Sequence, residues 1–158
     1  MSRILKTQFK LLKKVDEYTQ QTMERDYPLD WERVHIGSCA GIGQLLALKR
    51  GDDTELAAIA CAVHDYGRLV TGKQANHAEN SYAPLKEFLS ECGFFSAQEI
   101  EILAQAAKCH SNKHEVGTPL QEIVKDADVL DCYHYGQELS RPEQRQRLEQ
   151  VYRELGLG

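Results

Sequence analysis

Six histidines and a cluster of aspartates carry the chemistry available to this sequence. His64 and Asp65 stand side by side at the end of ELAAIACAVHDY, a segment otherwise apolar enough to read as a buried helix. A carboxylate is expensive to bury there unless it is paired or bound to a cation. Successive helical residues diverge by about 100°, but at a helix end both side chains can lean toward one ion. Asp126, Asp128 and Asp131 surround Val129 and Leu130 in VKDADVLDC, with Asp128 on a face shared with Val124, Asp131 and Cys132. His35 opens a glycine-rich helix, His77 begins a later one and His110 closes another. Five helices can thus each offer one or two imidazole or carboxylate groups. Such a mixed nitrogen and oxygen set suits one or two divalent ions of Mn, Fe, Co, Ni or Zn, with Mg also admissible. A helical bundle is a natural frame, because facing helices project ligands inward.

The elements that must hold these groups are helical nearly throughout. Ile4, Phe9, Leu11, Leu12, Val15 and Tyr18 recur at three- and four-residue steps and predict a helix over 4–25, ended by Pro28. Asp30 is a candidate N-cap for a helix from near Trp31 to Gly51. Within it, Gly37 and Gly41 would let a neighbouring helix approach closely. Gly41 and Gly43 do not form a phosphate-binding loop, because no strand precedes them and no Gly-Lys-Ser/Thr ending follows. Asp53 or Thr54 caps the apolar helix that carries His64 and Asp65, and Gly67 is placed to stop it. RLVTGKQANHAENS reads as a loop leading into a helix that carries Tyr82, Leu85, Phe88 and Leu89 as far as Gly93. Ser96 opens a capping box ahead of EIEILAQAAKCH. After the polar turn SNKHEVGTP, a sixth helix covers LQEIVKDADVLDCYHYG, and 142–155 forms a peripheral charged helix. The expectation is all-α: a single-domain bundle of six to seven helices spanning 1–158, with a metal-binding core over about 30–137 and peripheral helices at 4–25 and 142–155.

Composition limits the function classes. At 158 residues, 42% hydrophobic and 27% charged, the chain suits one globular domain. A net charge of −5 with both signs dispersed argues against a nucleic-acid surface. No run approaches the roughly 20 apolar residues of a membrane span, and the N-terminus lacks a signal-peptide core, so a cytoplasmic location is the expectation. The five cysteines include no C-x-x-C pair. Cys39, Cys61 and Cys132 read as small buried hydrophobes, while Cys109, next to His110, is the one nearest a candidate site.

Together these residues resemble a known family. His35, then His64-Asp65, then Asp128 inside VKDADVLD is similar to the H…HD…D signature of the HD superfamily of metal-dependent phosphohydrolases. AAIACAVHDYGR resembles that family's small hydrophobic run ending in HD-x-Gly-Lys/Arg. The resemblance covers about residues 30–137. It implies an HD-domain-like bundle in which His35, His64, Asp65 and Asp128 hold a metal. Members with a longer histidine set hold two, which implies that Asp65 bridges the ions and that His77 and His110 complete the second site. Arg68 falls where members often carry a basic residue facing substrate, and Lys73 and Lys113 are further cations that could meet a phosphate. His114 and His134 match no family position. Asp126 and Asp131 are expected behind the ligands or facing solvent, and Glu79 on a solvated helix face.

The activity implied is hydrolysis of a phosphate ester of a small molecule, with a nucleotide as the default substrate and Asp65 orienting or deprotonating the attacking water. Two alternatives accompany it. One is a di-iron oxygenase of the same fold. The other is a non-catalytic module that binds a nucleotide or phosphate. The amphipathic first and last helices could also form a homodimer face.

Overall fold

The computed structural model describes residues 1–19 and 23–157. Its most apolar segment is the centre of the fold: α3 (Thr54–Val63) starts on Asp53, whose side chain accepts the Leu56 N–H, and every residue from Ala57 to Val63 is buried. Five of the seven are alanine or cysteine, small enough for other helices to close around it. Those are α1 (Arg3–Thr19), α2 (Leu29–Arg50), α6 (Ala97–Cys109) and α7 (Pro119–His134). Large side chains from the surrounding layer fill the remaining space, among them Leu11, Leu46, Leu103 and Ile123, all fully buried. Each contributes about 1.5–3 kcal/mol by leaving water. The order is completed by α4 (Tyr66–Thr71), α5 (His77–Cys92) and α8 (Pro142–Leu155). The all-helical expectation holds, with eight helices and no strand among the described residues. None of the described helices is long and apolar enough to cross a membrane.

Several boundaries differ from the sequence pattern for identifiable reasons. The first helix is described as far as Thr19; residues 20–22 lie outside the described residues, and Met23–Arg25, expected to be helical, are not. Pro28, not Asp30, caps α2, and Asp30 sits in the first turn, where its charge faces the helix dipole favourably. The helix through His64 does not run on to Gly67. It ends at Val63, Asp65 leaves the helical region, and α4 begins at Tyr66 and runs into the stretch expected to be a loop.

Gly67 explains this turn. A Cβ there would lie 2.1 Å from the His77 carbonyl oxygen and 2.5 Å from the Ser81 nitrogen. The Gly67 N–H donates to Ser81 Oγ at 2.7 Å, so α4 and the start of α5 touch backbone to backbone. α5 begins at His77 as expected, so Ala78–Ser81, the end of the polar stretch RLVTGKQANHAENS, are helical. Gly37 and Gly41 face open space instead of a neighbouring helix, and the close approach falls at Gly43, whose added Cβ would meet Cys61 Sγ at 2.3 Å.

The capping box at Ser96 and Glu99 is present, and a second joins Thr118 to Gln121 at the head of α7. The last helix is held by charge. The Asp126 carboxylate accepts from Arg50 at 2.7 Å and from Arg147 at 2.8 Å, tying α2, α7 and α8 together. Asp126 is thus neither solvent-facing nor behind a ligand but part of this buried ion network.

Gly67→Ala should cost about 3 kcal/mol, the upper end of the range for overpacking, because backbone must move. Gly37→Ala should instead stabilise by about 0.5–1 kcal/mol, since it only improves helix propensity. Urea midpoints of the two variants against the parent check both signs.

Candidate metal centre

Four helix ends and α7 converge at one point. Asp65, in the break between α3 and α4, lies at its middle and is 7% exposed. Its Oδ2 is 3.3 Å from Nε2 of both His35 on α2 and His64 at the end of α3. The two nitrogens are 3.2 Å apart, and Asp128 Oδ1 of α7 lies 3.5 Å and 3.6 Å from them. On the opposite side, Asp65 Oδ1 is 3.2 Å from Nε2 of His77 and 3.3 Å from Nε2 of His110. Those two nitrogens are 2.9 Å apart. The structure therefore brings together all six residues singled out as ligand candidates, with one Asp65 oxygen facing each group.

The outer ring nitrogens explain how the imidazoles are aimed. Nδ1 donates to a backbone carbonyl in three of them: Cys61 O for His64 (2.6 Å), Gln74 O for His77 (2.7 Å) and Ala107 O for His110 (2.6 Å). In His35 it meets the buried Asp131 carboxylate, which also accepts from Ser38 Oγ. A carbonyl can only accept, so the proton sits on Nδ1 and the Nε2 lone pair points inward. Asp131 is thus behind a candidate ligand, as expected. Trp31 stacks on the outer face of His35 with ring centroids 5.0 Å apart.

With all four rings neutral, as metal binding requires, four lone pairs and a carboxylate face one another with little to bind them. Both Asp65 oxygens are buried without a hydrogen-bond donor, since Arg68 Nη2 stands 2.5 Å from Oδ2 but is misaligned for one. A cation resolves this. Donor atoms about 2.0–2.2 Å from an ion stand roughly 3.0–3.5 Å from one another, close to the spacings of both groups. The residues present fit a divalent metal.

Charged neighbours keep the carboxylates ready. Burial favours neutral Asp65, but the Arg68 guanidinium and His64 outweigh it and hold its carboxyl well below the usual range. Burial likewise opposes charge on Asp128, and Lys113, with Nζ 2.6 Å from Oδ2, overcomes it. Arg68 is itself buried and gripped by Glu32, whose oxygens lie 2.8 Å and 3.2 Å from Nε and Nη2. Nothing in the local sequence of Glu32, an acid in the first turn of α2, marks it for this role. Lys73 is not brought to the centre. It is half-buried and pairs with Glu24 and Asp26, just beyond Gly72, which ends α4.

Beside the histidines opens a cavity of about 520 Å³, lined by Asp65, His77, His110, Asp128, Arg68 and Lys113 at its inner end. Cys132, expected to be fully buried, is half-buried and also lines it, with Sγ 3.4 Å from Asp128 Oδ1. Glu79 sits at the mouth, paired with Lys108 at 3.2 Å.

The model of the HD domain family matches residues 34–133. The chain belongs to the HD domain family. No curated protein and no solved structure matches it. The HD domain here begins inside α2 and ends within α7, so α1, α8 and the loop before α8 lie outside the matched span.

Without metal, the histidines of this HD domain should shape stability in opposite directions. Burial opposes charge on His64, but Asp65 and its neighbours push its pKa up to about 10; burial drives that of His110 down to about 4. Both titrate near 6.5 when unfolded. The His64 contribution is complete below pH about 6.5 and is lost as pH rises toward 10; His35, also raised, adds to that loss. The His110 contribution is lost as pH falls from about 6.5 to 4, and the depressed carboxylates extend the acid loss. Urea midpoints in chelator should peak near pH 6.5 and fall on both sides, while a monotonic profile would contradict the assignment.

Proposed function

We propose that the protein is a metal-dependent phosphohydrolase that cleaves a phosphate ester of a small molecule. The observation that supports this is the convergence of four Nε2 lone pairs on the two donor-free oxygens of buried Asp65. His35, His64, Asp65 and Asp128 would hold one ion, and Asp65, His77 and His110 a second. A divalent ion bound there lowers the pKa of water toward neutrality and polarises a phosphoryl oxygen.

The chain's own groups supply the rest. Asp65 keeps its orientation because Arg68 presses on Oδ2 while Glu32 holds Arg68 from behind. Arg68 also lines the cavity, so its guanidinium serves as a positioning group and as positive charge near a bound phosphate. Lys113 is 3% exposed, and its Nζ, between Asp128 Oδ2 and the Lys125 carbonyl, borders the same space. It holds a proton at Nζ that can be donated to a phosphoryl or leaving oxygen.

The test is phosphate release by protein loaded in turn with Mn, Fe, Co, Ni or Zn, compared with Lys113→Met. The variant should retain metal, since it removes a cation beside Asp128, while kcat falls about 10²–10³-fold as for loss of a charge-stabilising donor. Oxygen consumption by iron-loaded protein without phosphate release would favour the di-iron oxygenase instead. Ligand binding without any turnover would mark a binding module.

A further inference from the structure

The far end of the cavity is built by residues that the HD match does not include. Gln137, Glu138, Leu139, Ser140, Arg141 and Gln144 line it from beyond residue 133, and Gln74 and Asn76 line the same cavity. Amides and a hydroxyl stand in this wall beside the Arg141 guanidinium, the Glu138 carboxylate and the Leu139 side chain. Gln74 Oε1 accepts from Arg68 Nη1 at 3.2 Å, and Gln144 Oε1 accepts from the Arg141 N–H at 3.1 Å. These two amides are therefore oriented through their oxygens, which leaves their NH2 groups to donate to a ligand oxygen. The Gln137 N–H donates to the Cys132 carbonyl at 3.0 Å, fixing where this loop leaves α7.

A nucleobase needs a flat aromatic or apolar face, worth about 1–3 kcal/mol per stacked base. Apart from the imidazoles, Tyr27 is the only aromatic side chain lining the cavity among the described residues. Its ring is already flanked: the Arg68 guanidinium carbon lies 4.9 Å from its centroid, and the Trp31 ring centroid lies 6.2 Å away. The mouth is charged rather than apolar, with Lys108 against Glu79 and Arg141 3.7 Å from Glu143. A volume of about 520 Å³ accommodates a small ligand.

We infer that this cavity takes a phosphorylated sugar or polyol, its phosphate at the histidine cluster and its hydroxyls on the amide wall, with no subsite for a base. The inference rests on the phosphohydrolase reading for where the phosphate sits, and the amide wall decides what is attached to it. It replaces the nucleotide expected from sequence by a ligand whose carbon skeleton carries hydroxyls alone.

Ribose 5-phosphate and adenosine 5′-monophosphate share ribose and phosphate and differ in the base, so they isolate the question. Calorimetry with metal-loaded Lys113→Met, which slows turnover, should show ribose 5-phosphate binding at least about tenfold more tightly. In the same background, Gln137→Leu should weaken ribose 5-phosphate about fivefold or more and leave inorganic phosphate unchanged. Equal or tighter binding of the nucleotide, or an unchanged affinity for ribose 5-phosphate in Gln137→Leu, would overturn the inference. If the binding order holds but the parent protein releases no phosphate from ribose 5-phosphate, the ligand class stands and the hydrolytic reading fails.

Discussion

Everything in this fold is arranged around a carboxylate that has no hydrogen-bond donor. Asp65 is buried between two pairs of imidazoles, and the outer nitrogen of each ring is committed to a carbonyl or to Asp131. With the rings neutral, inward lone pairs 2.9–3.2 Å apart repel one another as well as the carboxylate. In a low-dielectric interior that repulsion is costly unless positive charge sits at the centre. Arg68 and Lys113 supply part of it from the edge, one against each carboxylate. A cation held there would relax that repulsion, which would couple metal binding to stability.

The bundle supplies the rigidity that such a centre needs. His35 comes from one long helix, His64 and His110 from helix C-termini, His77 from a helix start and Asp128 from the middle of α7. Ending α3 at Val63 turns Asp65 out of the helix toward both pairs, and Gly67 allows the chain to fold back so that His77 can reach it. The ion network of Arg50, Asp126 and Arg147 sets α8 against α7. It thereby places the loop that walls the cavity.

What sequence could show was what local chemistry dictates. An apolar helix that ends in His-Asp, the Ser96 box and the aspartates of VKDADVLD each announce themselves within a few residues. The all-helical architecture and the place of the candidate ligands at helix ends followed from these. The features missed are tertiary. α4 exists because Gly67 meets the α5 backbone, a contact some ten residues of loop cannot advertise. Gly37 and Gly41 matched a packing pattern, yet the buried approach fell to Gly43, because only the neighbouring Cys61 decides it. Glu32 and Lys73 are both ordinary charged residues in sequence, and only the fold separates the one that grips Arg68 from the one that faces solvent.

The central claim is that these six side chains hold metal, and elemental analysis of protein purified without chelator tests it most directly. The account predicts about one to two equivalents of a divalent transition metal, lost in Asp65→Ala while the helical content persists. Protein that contains no metal, and takes up none when supplied with Mn or Ni, would contradict it.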